Sequence, residues 1–202
     1  MSHPAELWTW DNCSDKIRSL PGRNGLPEIG VLKILGYELD AGTGAIKDSL
    51  SGKPPQMDPR TYRNVSNTIF YILSAYSATD NTPLSGKYIS SKQFRGTKFT
   101  ERSYTGEIMS LVRHFESNTD QLIDAAKILG GGAVNFPTGD VAIELYVLPM
   151  VPVTVVLKNA DEEFSTEAWI YFDESIESYF DAEQTYFIAH LTVSRLIEAA
   201  NC

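Results

Sequence analysis

Apolar residues recur every three or four positions in several parts of the chain. Val65, Ile69, Ile72 and Leu73 follow this spacing and predict a helix over residues 61–78. Similar spacing or flanking helix signals predict further helices, at residues 4–20, 103–115, 120–129 and 181–200. The last of these is long and closes the chain.

A different pattern, short apolar runs rich in β-branched and aromatic residues, occupies residues 141–148, 153–157 and 168–172. The loops between these runs are too short for parallel crossovers, which need about a dozen residues. The pattern therefore predicts an antiparallel three-strand meander. Since both faces of its strands are largely apolar, we expect helices on one face, and the N-terminal hairpin or another copy of the protein on the other.

The N-terminal part predicts a hairpin. Residues 31–40 favour a strand, the turn at residues 41–44 contains two glycines, and residues 45–50 favour the returning strand. Together the patterns predict one α+β domain over residues 1–202, with an antiparallel sheet packed against helices. Residues 1–58 form its helix-and-hairpin part and residues 59–202 its core.

The charge of the chain narrows the classes of partner. A net charge of −9, with 17 scattered basic residues, argues against a nucleic-acid binder. No apolar run approaches the length of about 20 residues that spans a bilayer, and the N-terminus has no secretory signal pattern. We therefore expect a cytoplasmic protein without membrane contact.

Metal-binding patterns are missing from the sequence. Cys13 and Cys202 lie at opposite ends of the chain, so no iron–sulfur or zinc motif is evident, and no cofactor is predicted. His114 and His190 each lie on a predicted helix without a second histidine at metal-binding spacing. His190 adjoins the apolar stripe of its helix and is interpreted as a hydrogen-bonded boundary residue.

One basic segment, residues 87–102, lies in this otherwise acidic chain and is rich in aromatic residues. It could attract an anionic or planar ligand, or it could be a solvated loop and helix start. The candidate ligand-binding residues are Lys87, Ser90, Arg95, Arg102, Asp140 and Glu144.

Three passages resemble an uncharacterised bacterial and archaeal family, domain of unknown function 3786. They are IFYILSAYSATDNTPLSGKYISSKQF from Ile69, LGGGAVNFPTGDVAIELYVLPMVPVTVVL from Leu129 and DEEFSTEAWIYFDESIESYFDAEQ from Asp161. The resemblance covers about two-thirds of the chain, from Ile69 onward. The family has no established activity, so the resemblance implies no reaction.

The resemblance does suggest a kind of partner protein. Some relatives carry a separate cysteine-rich iron–sulfur segment and many come from anaerobes, which suggests anaerobic redox or corrinoid metabolism. Because this chain lacks those cysteines, an iron–sulfur or redox partner would be a separate protein.

Three functions are compatible with these patterns. The first is a non-catalytic module that binds a small ligand or docks to a redox partner. The second is a homo-oligomeric scaffold whose apolar sheet face pairs with a second subunit. The third is an enzyme without a cofactor that uses Asp140, Glu144 or Glu163 as acid or base.

Overall fold

The structure is a computed structural model that describes residues 7–28, 30–94 and 100–202, the side chains of 100–103 excepted. It contains helices and two antiparallel sheets, which confirms the α+β class. The elements, in chain order, are α1 (Trp10–Arg18), β1 (Val31–Ile34), β2 (Tyr37–Asp40), β3 (Ile46–Asp48), α2 (Val65–Tyr76), β4 (Tyr88–Ser90), α3 (Thr100–Phe115), α4 (Asp120–Ile128), β5 (Gly132–Ala133), β6 (Val141–Leu148), β7 (Val151–Lys158), β8 (Glu167–Asp173), α5 (Ile176–Tyr179) and α6 (Ala182–Ala200).

The larger sheet has five strands in the order β4-β8-β7-β6-β5. Strands β6, β7 and β8 are consecutive and antiparallel, so the predicted meander is confirmed. Strand β7 lies at the centre, and seven of its eight residues are buried. A strand covered on both faces explains why the run from Val151 to Leu157 contains almost no polar side chain.

Helices cover one face of this sheet. Helices α3 and α4 contact the sheet, and α6 packs against α2, α3 and α4. The other face is crossed by residues 134–140 of the same chain. There, the Phe136 ring lies 4.9 Å from the rings of both Tyr171 and Tyr88. Gly139 (φ +81°) lies so close to Val156 that an added Cβ would come within 2.4 Å of its side chain.

The smaller sheet corrects the N-terminal prediction. Residues 31–40 do not form one strand, because the chain reverses at Leu35 and Gly36, which both have positive φ values. Strands β1, β2 and β3 form an antiparallel sheet in sequence order, so only the second half of the predicted hairpin is right. Leucine rarely adopts this backbone conformation, and its apolar side chain made the segment resemble a continuous strand.

The helices differ from the predictions mainly at their ends. Helix α2 begins at Val65 rather than at residue 61, because the Asn64 side chain accepts a hydrogen bond from Ser66 N (2.8 Å) and caps the first turn. The closing helix α6 is confirmed. Its cap is Asp181, which exchanges hydrogen bonds with Gln184 in a capping box. Within the described ranges, no helix is both long and apolar enough to span a bilayer.

Candidate functional site

The predicted ligand-binding residues do not meet at one place in the part of the chain that the structure describes. Ser90 and Glu144 lie in one row across strands β4, β8, β7 and β6, so about 14 Å of sheet separates them. Lys87 forms an ion pair with Glu174 (3.5 Å). The Asp140 carboxylate accepts a hydrogen bond from Asn159 N (2.7 Å), which holds a turn.

The two arginines of that prediction lie outside what the structure describes. Arg95 is not among the described residues, and Arg102 lies on α3 without a described side chain. The predicted ligand site near Lys87 therefore stays a prediction.

A network of ionisable side chains, which we call the His190 network, lies elsewhere. His190 Nε2 is 2.9 Å from Asp58 Oδ2, and His190 Nδ1 is 2.8 Å from Glu107 Oε1. Arg60 Nη1 donates to the other oxygen of Glu107 (2.9 Å), and Arg60 Nη2 donates to Ser194 Oγ. Asp58, Glu107 and His190 are all buried.

Three separate elements supply this network. Asp58 starts the turn before α2, where its Oδ1 accepts hydrogen bonds from the backbone N–H groups of Arg60 and Thr61, both at 2.8 Å. Glu107 lies on α3. His190 and Ser194 lie one helical turn apart on α6, so they face the same neighbours.

The environment favours an ionised network. Burial alone would lower the pKa of His190, but its hydrogen bonds to Asp58 and Glu107 outweigh burial and raise that pKa. Burial alone would raise the pKa values of Asp58 and Glu107, but the His190 interactions keep both below their ordinary values. The contacts of both ring nitrogens with carboxylates therefore favour the imidazolium form of His190, in which both nitrogens donate, although Arg60 Nη2 also lies 3.3 Å from Nδ1.

A second network, the Arg195 network, lies on the same helix. The fully buried Arg195 guanidinium donates from Nε to Leu35 O (2.9 Å), from Nη1 to Tyr37 Oη (3.1 Å) and Glu198, and from Nη2 to Asp48. The guanidinium also lies 4.0 Å from the centroid of the Tyr37 ring. These contacts join the smaller sheet to α6.

Both networks border one cleft of about 270 Å³, which we call the ion-pair cleft. The His190 network contributes Asp58 and Ser194 to its wall, and the Arg195 network contributes Tyr37, Asp48 and Glu198. Its apolar wall contains Leu50, Met57, Val65 and Leu191, with three prolines. No lysine, arginine or histidine of the described ranges lines this cleft.

The chemistry available in this cleft is that of fixed hydrogen-bond acceptors. Glu198 is about half exposed, with 52% of its side-chain surface accessible, and only its Oε2 is bonded to Arg195. Within the described ranges, no group of three or more His, Cys, Asp or Glu side chains could hold a metal ion. A larger cleft of about 560 Å³ lies at the start of α6 and is lined by neither network.

Sequence reasoning missed most of these residues, although one signal was present. His190 and Arg195 interrupt the apolar sequence of α6, and a charged residue in a buried helix requires a partner. His190 was expected to be hydrogen-bonded, but at a boundary rather than in the interior. The partners Asp58 and Asp48 are 132 and 147 residues away, so no local pattern connects them.

Comparison with known proteins gives one match. No curated protein and no solved structure matches the chain significantly. A family model matches residues 44–195, about three quarters of the chain, and begins before the Ile69 limit of the predicted resemblance. The matched span contains Asp48, Asp58, Glu107, His190 and Arg195, while Tyr37 and Glu198 lie outside it. The chain therefore belongs to the family described as domain of unknown function DUF3786.

Proposed function

We propose that this protein is a non-catalytic module that binds a small ligand in the ion-pair cleft. The observation that carries the proposal is that two networks of paired acidic and basic side chains, most of them buried, border the same cleft. Such side chains cannot reorient without losing their buried partners, so they present acceptors in fixed positions. Fixed acceptors favour binding because little ordering is required when the ligand arrives.

The ligand that fits this wall is compact, donates hydrogen bonds and carries a positive charge, as a small amine does. The free oxygen of Glu198, the hydroxyls of Tyr37 and Ser194 and the Gln56 amide can contact its polar end. The apolar wall fits its hydrocarbon part. An anion would meet three carboxylates without a basic side chain on the wall.

The test is calorimetric titration of the purified protein with small primary amines, carboxylates and phosphate. We expect binding of an amine and none of the anions. Glu198→Gln removes the charge without changing the shape, and should weaken amine binding roughly tenfold or more, as expected for a charge-assisted hydrogen bond. Glu183→Gln is the matched control, because Glu183 is exposed on α6 outside the cleft wall.

Two results would contradict the proposal. One is the absence of any heat of binding or thermal stabilisation across the panel. The other is an affinity that Glu198→Gln and Glu183→Gln change equally, since binding would then depend on overall charge.

A link to anaerobic redox or corrinoid metabolism is supported only by the family resemblance. A corrinoid macrocycle is much larger than a ligand that a cleft of about 270 Å³ can enclose. We therefore propose that any such link acts through a separate redox protein. The same stabilisation screen should include corrinoids, flavins, folates and nucleotides, and stabilisation by a corrinoid would contradict this part of the proposal.

A second candidate is an acid–base enzyme that uses Asp58 and His190, because Asp58 both lines the cleft and contacts the imidazole. The carboxylates considered from sequence fit less well, since Asp140 and Glu163 are exposed. Against this candidate, both nitrogens of His190 are already bonded to carboxylates, so neither is available to a substrate. Nitrogen NMR of His190 distinguishes the two candidate functions. A ring that stays protonated from pH 6 to 8 supports the binding module. A ring that titrates near pH 7 supports the enzyme.

A further inference from the structure

Two hydroxyl groups in the wall of the ion-pair cleft are bonded to arginines. Arg195 Nη1 donates to Tyr37 Oη (3.1 Å), and Arg60 Nη2 donates to Ser194 Oγ. Because a guanidinium can only donate, each hydroxyl oxygen accepts in its pair, and its proton must point elsewhere. Within the described ranges, neither hydroxyl donates to an acceptor of the protein. The wall therefore contains two hydroxyl donors that a bound molecule can use.

The Tyr37 hydroxyl keeps its proton at neutral pH. Burial raises its pKa, and the carboxylates of Glu198 and Asp48 add to the rise, although the Arg195 guanidinium opposes it. The ring is 4% exposed and packs under the Arg195 guanidinium, so its hydroxyl has a fixed position. Tyr37 is therefore a neutral donor that requires little ordering when a ligand binds.

An acceptor lies beside these donors, namely the Glu198 carboxylate. Its Oε2 is bonded to the same Arg195 Nη1 that bonds Tyr37 Oη, so a single nitrogen joins the two groups. Ser194 lies one helical turn from Glu198 on α6, and residues at this spacing share a helix face. The two donors and this acceptor therefore belong to one part of the cleft.

The Arg195 network favours a ligand with a single positive charge. Asp48 and Glu198 carry two negative charges, and Arg195 carries one positive charge. The Asp48 oxygens are occupied, because Oδ1 accepts from Leu50 N (3.0 Å) and Arg195, and Oδ2 accepts from Ser51 Oγ (2.6 Å). Glu198 is half exposed, and among the described residues its Oε1 has no hydrogen-bond donor. Glu198 is therefore the carboxylate that would bind the cation.

We propose that the ligand of the ion-pair cleft is a small amino alcohol or amino ether. Its ammonium group binds Glu198, and its oxygen accepts a hydrogen bond from Tyr37 or Ser194. This inference rests on the proposed amine-binding function and adds a neutral acceptor to the ligand. A simple alkylamine would leave both hydroxyl protons without an acceptor, and a carboxylate would be repelled by Asp48, Asp58 and Glu198.

The experiment compares two matched amines by calorimetric titration of the full chain at neutral pH. Butylamine and 2-methoxyethylamine carry the same ammonium group and differ only in an oxygen that replaces one methylene. Butylamine has more apolar surface, so a cleft without a donor for the oxygen would bind butylamine more tightly. We expect 2-methoxyethylamine to bind roughly threefold to tenfold more tightly, the effect of one neutral hydrogen bond. Ethanolamine should exceed propylamine in the same way.

Variants of the two hydroxyls locate the hydrogen bond. Tyr37→Phe and Ser194→Ala each remove one donor, and the double variant should bind butylamine more tightly than 2-methoxyethylamine. The readout is the ratio of two affinities in one protein, so a general loss of stability does not change it. Tyr62→Phe is the matched control and should keep the native ratio, because the Tyr62 hydroxyl is exposed outside the cleft wall.

The outcomes distinguish this inference from the proposed function. If the native chain binds butylamine at least as tightly as 2-methoxyethylamine, the inference is overturned while amine binding stands. The same conclusion follows if the double variant keeps the native ratio. Tighter binding of glycine than of ethanolamine would also overturn the inference, because the acceptor would then be an anion. If no amine binds, the inference and the proposed function both fail.

Discussion

Arg195 is the residue through which the smaller sheet and the closing helix are joined. Its guanidinium is fully buried and contacts Leu35, Tyr37 and Asp48 on one side and Glu198 on its own helix. Removal of one member of a buried ion pair leaves the other without a partner. Loss of Arg195 would therefore weaken the junction between the smaller sheet and α6.

The first prediction is that Arg195→Met lowers the free energy of unfolding by about 3 kcal/mol, because Asp48 is left buried without its cation. The measurement is urea denaturation. The double variant Arg195→Met/Asp48→Asn should recover part of the loss, since it removes the unpaired charge. Arg113→Met on the exposed surface of α3 is the control, with a change below about 0.5 kcal/mol. Equal stability of Arg195→Met and the native chain would show that the network does not stabilise the fold.

The second prediction concerns pH. His190 has a raised pKa, so its contribution is complete below the ordinary value of 6.5 and is lost as pH rises through the raised pKa. Asp58, Glu107 and Asp48 have lowered pKa values, so their contribution is present above their ordinary values and is lost as pH falls through the lowered ones. We expect the free energy of unfolding to be greatest between these limits.

The measurement is chemical denaturation across the pH range with His190→Gln as the comparison. This variant should lose the decline on the alkaline side of neutrality, because glutamine does not titrate. If both proteins decline equally there, the imidazolium assignment is wrong.

At the scale of elements, the turn between β1 and β2 is where the smaller sheet packs closely against α6. Gly36 has a φ of +79°, and a Cβ added there would lie 3.1 Å from Arg195 Nη2 and 3.3 Å from Leu129 Cδ2. Gly52 has a similar φ of +72°, but a Cβ there would meet nothing within 4 Å. Alanine at either position would be strained by the positive φ, but only alanine at Gly36 would also crowd its neighbours. A comparison of the two variants therefore distinguishes the cost of strain from the cost of crowding.

The third prediction is that Gly52→Ala destabilises the protein by about 1 kcal/mol through backbone strain alone. Gly36→Ala should destabilise it by about 2 kcal/mol or more, because crowding of Arg195 is added to the same strain. Thermal denaturation of both variants is the measurement. Equal losses would mean that the turn accommodates a methyl group without disturbing Arg195.

The helices and strands were predictable where the signal is local. The apolar run of β7 and the spacing in α2 depend only on neighbouring residues, and both elements were found. The reversal at Leu35 was not predictable, because leucine with positive φ is tolerated only when the surrounding contacts require it. The His190 network was also hidden, because its members become neighbours only when α3, α6 and the turn at Asp58 pack together.

At the scale of the whole molecule, the chain covers its own sheet. The outward residues of β7, including Thr154 and Val156, are buried within the chain itself. Tyr88 and Tyr146 remain 46% and 53% exposed on this face, which is the surface that a homo-oligomeric scaffold would use. With the face already covered and a net charge of −9, self-association is opposed.

The fourth prediction is therefore a monomer of about 22.4 kDa at micromolar concentration, measured by light scattering. Phe136→Ala should increase association at high salt, because it uncovers the rings of Tyr171 and Tyr88. Tyr62→Ala, which removes an aromatic ring that is exposed elsewhere, is the control. A native mass of two subunits would support the scaffold instead.

The two ion networks also affect the order in which the chain acquires its structure during synthesis. Asp58 leaves the ribosome 132 residues before His190, and at about 5–20 residues per second the delay is roughly 7–26 s. The delay between the synthesis of Asp48 and that of Arg195 is longer, because 147 residues separate them. During that interval the N-terminal carboxylates remain hydrated, and the smaller sheet lacks its anchor. We infer that the native interior forms only after the last helix has been synthesised, so a nascent chain arrested before α6 should be far more sensitive to protease than the released protein.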